Sequence, residues 1–133
     1  MIEKPLTASS PGMYPPGVRD LYDMGGNVFR FGSRETCDPA PTDTDEDWAV
    51  LLPNIPILLK AVVWLKDNGW ECGGSDVPES EFLAFRKDYL NIVVTNSFGF
   101  WNKYKTATEI CKELNLMKKE DRITVFSKVL NRI

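Results

Sequence analysis

Two short polar segments of this 133-residue chain contain the residue types from which metal and phosphate sites are built. The acidic run at residues 43–47 has four carboxylates in five positions. Side chains alternate between faces along an extended chain, so Asp45 and Asp47 should project from the same face. Two such carboxylates can hold Mg²⁺ or Mn²⁺, whose remaining ligands are usually waters and substrate phosphates. The acids therefore predict a divalent-metal site that a phosphorylated substrate completes.

The second segment is Gly32-Ser33-Arg34. Glycine after a strand permits a sharp turn, and a serine at a helix start offers its hydroxyl and N–H to a phosphate. Arg34 has a permanently charged, forked guanidinium that suits phosphate oxygens, although an ion pair with Glu35 or the acidic run is an equal alternative. If the strand before Gly32 lies beside the strand that starts at Asp45, the two segments share one opening. The chemistry then favoured is nucleotidyl transfer.

Apolar periodicity predicts the elements that position these segments. A strand at residues 27–31, anchored by Val28 and Phe31, leads into Gly32, and a strand at 45–52 becomes wholly apolar in its second half. We expect a single α/β (α+β) domain in which helices pack on a small mixed sheet, with a loose or strapped tail at residues 1–17. The other predicted elements are a helix at 18–24, a helix at 55–66, a strand starting at 69–71, strands at 81–87 and 90–95 joined by a tight turn, a helix at 98–114 and a last helix ending near Leu130.

Composition removes several classes of function. The chain has no histidine, which excludes Ser-His and Cys-His nucleophile pairs and every zinc site that contains histidine. Its three cysteines show no C-x-x-C spacing, so neither a disulfide framework nor a thiolate metal site is indicated. A net charge of -3 gives no strong signal for nucleic-acid binding, and no segment is apolar enough to span a bilayer. We expect a cytoplasmic protein with reduced thiols and no membrane partner.

The segment from Gly32-Ser33 to Asp45-x-Asp47, followed by hydrophobic residues, resembles the signature of the nucleotidyltransferase superfamily. That superfamily includes DNA polymerase beta, the antibiotic nucleotidyltransferases and the minimal nucleotidyltransferases of toxin-antitoxin systems. With Arg34 after the Gly-Ser pair, the motif looks especially like that of small nucleotidyltransferase-like proteins of bacteriophages. Such proteins would act in the host cytoplasm.

This resemblance covers residues 28–52 and, more weakly, the predicted strand at 90–95 and the junction at 115–122. It implies a nucleotidyltransferase-like fold and an enzyme that uses Mg²⁺ or Mn²⁺. Such an enzyme moves a nucleoside monophosphate from an NTP to a hydroxyl of a protein, an RNA or a small molecule. By the same resemblance, Gly32 and Ser33 bind the triphosphate, while Asp45 and Asp47 are catalytic and hold the metal.

One position departs from the superfamily pattern. Members usually have a third acid on a later strand, which helps to hold the metal and deprotonates the acceptor hydroxyl, but Asn91 stands at the matching position here. Asparagine cannot act as a general base. Asp76, Glu81 or Asp88 are candidates for a displaced acid, and Asp43 is a reserve ligand. A second functional class therefore stays open: a catalytically reduced relative that binds nucleotide or a host protein and regulates or inhibits it.

Several other polar features of the sequence have simpler interpretations than a functional site. An EF-hand calcium loop starting in the acidic run would need Gly and Glu where Trp48 and Asn54 stand, so this class of site is excluded. Cys37, in a mobile proline-containing loop, lacks a neighbouring base and is not expected to be a nucleophile. Lysines and an arginine concentrate in the C-terminal helices, where a solvated face is the simpler interpretation. The alternative is that Lys103 or Lys105 faces the triphosphate or an acceptor.

Overall fold

The computed structural model describes residues 13–42, 44–73 and 82–131. Within these ranges the chain forms five strands in one mixed sheet, together with five helices. The strands are β1 (Asn27–Phe31), β2 (Glu46–Leu51), β3 (Glu71–Cys72), β4 (Leu83–Lys87) and β5 (Leu90–Thr95). The helices are α1 (Val18–Asp23), α2 (Ser33–Thr36), α3 (Ile55–Asp67), α4 (Phe98–Glu113) and α5 (Lys119–Leu130). The expected mixed sheet with packed helices is confirmed.

The strand order in the sheet is β1-β2-β5-β4-β3. Strand β1 is antiparallel to β2, β2 is parallel to β5, and β5 is antiparallel to β4. A parallel pair needs a long crossover, and the segment between β2 and β5 supplies it with α3, β3 and β4. The tight turn between β4 and β5 contains Asp88 at a φ of 55°, a conformation that aspartate tolerates better than most residues.

The sheet separates two apolar cores. Because strand side chains alternate between faces, Trp48 and Val50 pack with α1 and α3, whereas Ala49 and Val93 pack with α4 and α5. The same alternation corrects one predicted anchor of β1. Val28 is partly buried against the α1 and α3 core, whereas Phe29 and Phe31 fill the opposite core with exposures of only 2% and 7%.

The longer helices begin where their capping residues predict. Asn54 accepts a hydrogen bond from the Ile57 amide at 2.9 Å, and Pro56 in the first turn needs no amide partner. Ser97 caps α4 in the same way through the Phe100 amide. Within the described part of the chain, every helix is too short or too polar to cross a lipid bilayer.

Aromatic contacts place α4 and α5 over the sheet. The Tyr104 ring lies edge-on to Phe31 and to Phe126, with ring centroids 4.8 Å apart in both pairs. Edge-to-face pairs of this kind stabilise by about 0.5–1.5 kcal/mol beyond area burial. They hold β1, α4 and α5 at fixed separations, and an opening remains between the sheet and α5 beside the carboxyl end of β1.

Candidate functional site

A cleft of about 280 Å³ lies where β1 ends and β2 begins. Its polar floor comes from the sheet and the Gly32-Ser33 turn, and its opposite wall comes from α5. Deeper in the cleft the lining is apolar and includes Phe31, Val93 and Phe126. The structure thus brings together five of the site residues that the sequence predicts, because the cleft is lined by Gly32, Ser33, Asp45, Asp47 and Asn91.

Gly32 allows the turn to approach the acid pair. Its φ is 79°, in the region that favours glycine, and a Cβ at this position would overlap the Asp47 carboxylate. The Ser33 hydroxyl donates a hydrogen bond of 3.4 Å to the Thr44 hydroxyl, which ties the turn to the residue before Asp45. The Gly-Ser turn and the acidic strand are therefore packed directly against each other.

Three strands contribute a row of polar side chains to the floor. In the sheet register Asp47 of β2 lies opposite Asn91 of β5, and Asn91 lies opposite Arg86 of β4. Residues paired across neighbouring strands point to the same face of a sheet. The Asn91 side-chain amide donates a hydrogen bond of 3.0 Å to Asp47 Oδ1. Asn91 therefore lies directly beside the acid pair.

Burial gives Asp47 an unusual ionisation. Burial raises the pKa of the Asp47 carboxyl group from an ordinary 3.8 to about 6. The Asn91 hydrogen bond lowers this pKa, the Asp45 charge raises it, and the Arg86 and Arg122 charges lower it further. Since the two neighbouring carboxylates repel each other, a divalent cation between them would relieve an unfavourable charge arrangement.

The donor set fits a hard divalent ion. Asp45 and Asp47 offer carboxylate oxygens from one edge of the cleft, the ligand type that Mg²⁺ and Mn²⁺ prefer. Among the described residues, no group of three acidic or cysteine side chains is close enough to hold a metal. An ion bound by these two acids would therefore rely on water and substrate phosphates for its other ligands, as Mg²⁺ commonly does.

Three cationic side chains line the same cleft and were not selected as site residues from the sequence. Arg86 lies on the floor, where its Nε is 3.5 Å from Asp45 Oδ2. Lys119 and Arg122 come from α5 on the opposite wall. The helical spacing of Lys119, Arg122, Ile123 and Phe126 places all four on one helix face, and all four line the cleft. That spacing is the sequence signal that would have selected α5.

Arg34 does not take the phosphate-binding place predicted for it. Its guanidinium donates a hydrogen bond of 2.9 Å to the Thr42 carbonyl and lies 3.6 Å from Glu46 Oε2. The alternative interpretation, an ion pair with the acidic run, is therefore correct. Arg34 therefore holds the proline-containing loop against the start of β2, and it is outside the described lining of the cleft.

Lys103 and Lys105 are also outside the described lining of the cleft. The Lys105 ammonium lies 5.3 Å from the centre of the Trp101 ring, a cation–π arrangement on the surface of α4. Among the described cations of the C-terminal helices, Lys119 and Arg122 of α5 line the cleft.

The loop around Cys37 is more ordered than its prolines suggest. Cys37 is buried, and its thiol lies 3.5 Å from the Leu116 carbonyl oxygen. Arg122 Nη1 donates a hydrogen bond of 2.9 Å to that same carbonyl and lies 3.4 Å from the Cys37 sulfur. The prediction of a mobile position for Cys37 is therefore wrong, and its burial leaves it unsuited to nucleophilic attack.

Of the remaining candidate acids, the structure describes Asp88. Asp88 lies in the turn between β4 and β5 and is outside the described lining of the cleft. Asp43, Asp76 and Glu81 lie outside the described residues.

Comparison of the chain with protein-family models, curated proteins and solved structures gives no significant match. The interpretation of the cleft therefore rests on the residues and geometry of this chain.

Proposed function

We propose that this protein is a cytoplasmic nucleotidyltransferase that uses Mg²⁺ or Mn²⁺ to move a nucleoside monophosphate from an NTP to a hydroxyl. One observation carries the proposal: the Gly32-Ser33 turn and the carboxylates of Asp45 and Asp47 line one cleft, opposite the cations of α5. The acids suit the metal, and the hydroxyl and cations suit phosphate oxygens.

Different residues of the cleft would bind the metal ion and the phosphates. Asp45 and Asp47 would hold the metal ion, which neutralises charge on the phosphates as the transferred group changes partners. Lys119 and Arg122 face them across the cleft and would bind phosphate oxygens that point away from the metal. The Arg122 guanidinium is already oriented by its hydrogen bond to the Leu116 carbonyl, so little conformational freedom is lost on binding.

The transfer is a displacement at the α-phosphorus. The acceptor hydroxyl oxygen forms a bond to that phosphorus, the bond to the oxygen that bridges to the β-phosphate breaks, and pyrophosphate leaves with the bonding electrons. The hydroxyl proton passes to solvent, because Asn91 cannot accept it and the two described carboxylates hold the metal. Apolar residues at the depth of the cleft, such as Phe31 and Phe126, exclude water from one side of the site.

A second function is favoured by Asn91 itself. Its amide donates to Asp47, so the side chain beside the acids is a hydrogen-bond donor where a third carboxylate would bind metal and accept a proton. A phage-encoded protein of this kind would bind nucleotide or a host protein without transfer and would act as a regulator or inhibitor. The host protein would then contact this protein near the cleft.

Transfer assays separate these functions. The protein is incubated with each of the four NTPs labelled at the α-phosphate, with Mg²⁺ or Mn²⁺ and a bacterial lysate, and label is measured in protein, RNA and small-molecule fractions. We expect label in one fraction for the wild type and none for the Asp45→Ala/Asp47→Ala variant. Asp67→Ala removes an exposed acid at the end of α3 and should retain transfer.

Retention of label by the double variant rejects the proposed site. Binding of labelled NTP without transfer, lost in the same variant, supports the second function. Absence of both NTP binding and transfer in the wild type rejects the nucleotidyltransferase and the nucleotide-binding form of the second function.

A further inference from the structure

Arg86 occupies an unusual place in the cleft, because a cationic side chain of the sheet contacts the proposed metal ligands. It lies on β4 opposite Asn91, in the row of side chains that continues to Asp47. Its Nε is 3.5 Å from Asp45 Oδ2. A guanidinium therefore lies against the acid pair that the proposed function assigns to a divalent ion.

This ion pair should compete with metal binding. A positive charge beside Asp45 lowers the attraction of that carboxylate for a second cation, and the carboxylate oxygen that faces Arg86 is less accessible to the metal. The competition can be relieved at small cost, because the Arg86 and Asp45 side chains are 50% and 40% exposed. Pairs this exposed are screened by water and contribute little to stability.

A released Arg86 would still lie at the cleft, where the phosphates are expected. It lines the same opening as Ser33, Lys119 and Arg122. Its forked guanidinium can form two parallel hydrogen bonds to phosphate oxygens, and its long side chain can change partner without any change in the strand.

We propose that Arg86 is a positioning residue that exchanges Asp45 for a substrate phosphate when a divalent ion enters the acid pair. This inference rests on the proposed function and adds an order of assembly to it. Metal alone binds weakly because it must displace Arg86, whereas metal and triphosphate together give both the acids and the guanidinium a partner. Each ligand therefore strengthens the binding of the other.

The test compares the wild type with Arg86→Gln in two titrations. Binding of Mn²⁺ alone is followed by the electron paramagnetic resonance signal of the free ion, and binding of preformed Mn²⁺-triphosphate is followed by equilibrium dialysis. Loss of the competing guanidinium should tighten binding of Mn²⁺ alone by roughly two- to fivefold, the range set by exposed ion pairs. Loss of a charged phosphate contact should weaken binding of Mn²⁺-triphosphate by about tenfold.

Two control variants complete the experiment. Lys60→Gln removes the same charge from an exposed position on α3, on the other face of the sheet, and should change neither affinity. Asp45→Ala should greatly weaken Mn²⁺ binding, which tests the metal site independently of Arg86.

Tighter binding of Mn²⁺ alone together with weaker binding of Mn²⁺-triphosphate by Arg86→Gln supports the exchange. If Arg86→Gln binds Mn²⁺ no more tightly than the wild type, or binds Mn²⁺-triphosphate equally well, the exchange is overturned while Asp45-dependent binding leaves the proposed function standing. If neither the wild type nor Arg86→Gln binds Mn²⁺ at millimolar concentrations, the proposed function and the exchange are rejected together.

Discussion

Asp47 shows most clearly how the proposed function would oppose stability in this protein. The carboxylate lies against Gly32, accepts a hydrogen bond from Asn91 and has a charged neighbour in Asp45. Its pKa of about 6 means that the folded, metal-free protein resists ionisation of this group. The arrangement is explained if the site is completed by a cation, since a divalent ion turns the repulsion of the acids into attraction.

The pKa of Asp47 predicts a pH dependence of stability. Because the folded-state pKa lies above the ordinary 3.8, the folded state binds more protons than the unfolded state between pH 3.8 and about 6. Asp47 therefore lowers the free energy of unfolding as pH rises through that window, by at most about 3 kcal/mol, and its effect is constant above it. Asp47→Asn should remove this decrease in the free energy of unfolding. The metal-free variant should therefore be more stable than the wild type at pH 7.5 and nearly as stable as the wild type at pH 4.

Urea unfolding of both proteins between pH 4 and 7.5, without divalent ions, measures this difference. Asp67→Asn, which neutralises an exposed acid on α3, provides the comparison for a change in net charge. If the difference between Asp47→Asn and the wild type does not grow between pH 4 and 6, the assigned ionisation of Asp47 is wrong.

At the scale of elements, the contact between the β1–α2 turn and strand β2 forms the site. The turn reverses the chain with Gly32 at a φ of 79°, and α2 is then anchored because buried Glu35 pairs with Arg30 at 3.0 Å and with Lys112 at 2.6 Å. A buried carboxylate with two cationic partners is costly to break, since loss of one partner leaves a charge uncompensated. The turn is therefore held firmly against the acids.

Gly32→Ala should disrupt this contact. The added Cβ would overlap the Asp47 carboxylate and would strain a backbone that favours glycine, so we expect a loss of about 2–4 kcal/mol in the free energy of unfolding. Chemical denaturation measures the loss. Gly73→Ala is a matched control, because Gly73 also has a positive φ, 119°, but a Cβ there would meet no atom of the described residues within 4 Å.

The double variant Gly32→Ala/Asp47→Ala isolates the contact itself. Removing the carboxylate should return part of the stability that Gly32→Ala loses, so the two changes should not be additive. Additive losses would mean that backbone strain, and not the approach of Asp47, explains the glycine.

At the scale of the whole molecule, the site depends on strands that are far apart in sequence. The parallel pairing of β2 with β5 brings Asn91 beside Asp47, and the β4–β5 hairpin adds Arg86 to the same row. Helix α5, at the other end of the chain, closes the cleft with Lys119 and Arg122. The long-range packing of the domain therefore determines the charge balance of the cleft.

Asn91→Asp should convert this site into one with three acids. We expect Mn²⁺ to bind about tenfold more tightly, because a third carboxylate adds attraction equivalent to a charged hydrogen bond. We also expect the metal-free variant to be less stable at pH 7.5, because it exchanges a hydrogen bond to Asp47 for a repulsion. Mn²⁺ titration and urea unfolding measure the two effects.

Asn91→Gln, which keeps the amide, serves as the comparison and should not tighten Mn²⁺ binding. An equal affinity of Asn91→Asp and the wild type for Mn²⁺ would place the metal away from position 91 and weaken the proposed function.

The sequence by itself determined the features that depend on nearby residues. Alternation of side chains along an extended chain predicts Asp45, just before β2, on the same face as Asp47, and the glycine before Ser33 marks the turn at the end of β1. β1 and β2 are consecutive strands, and consecutive strands usually lie side by side, so the sequence favours a pairing in which the turn meets the acids. The absence of histidine is likewise a property of composition.

Only the tertiary structure decided which charges face the cleft. The sequence predicts Arg34, Lys103 and Lys105 at the site, yet all three are outside the described lining of the cleft. Arg86 and Arg122 enter the cleft through the register of β4 on β5 and the rotation of α5 about its axis. The direction of a side chain depends on register and helix packing, which are set by contacts between distant residues, and charge alone carries no information about that direction.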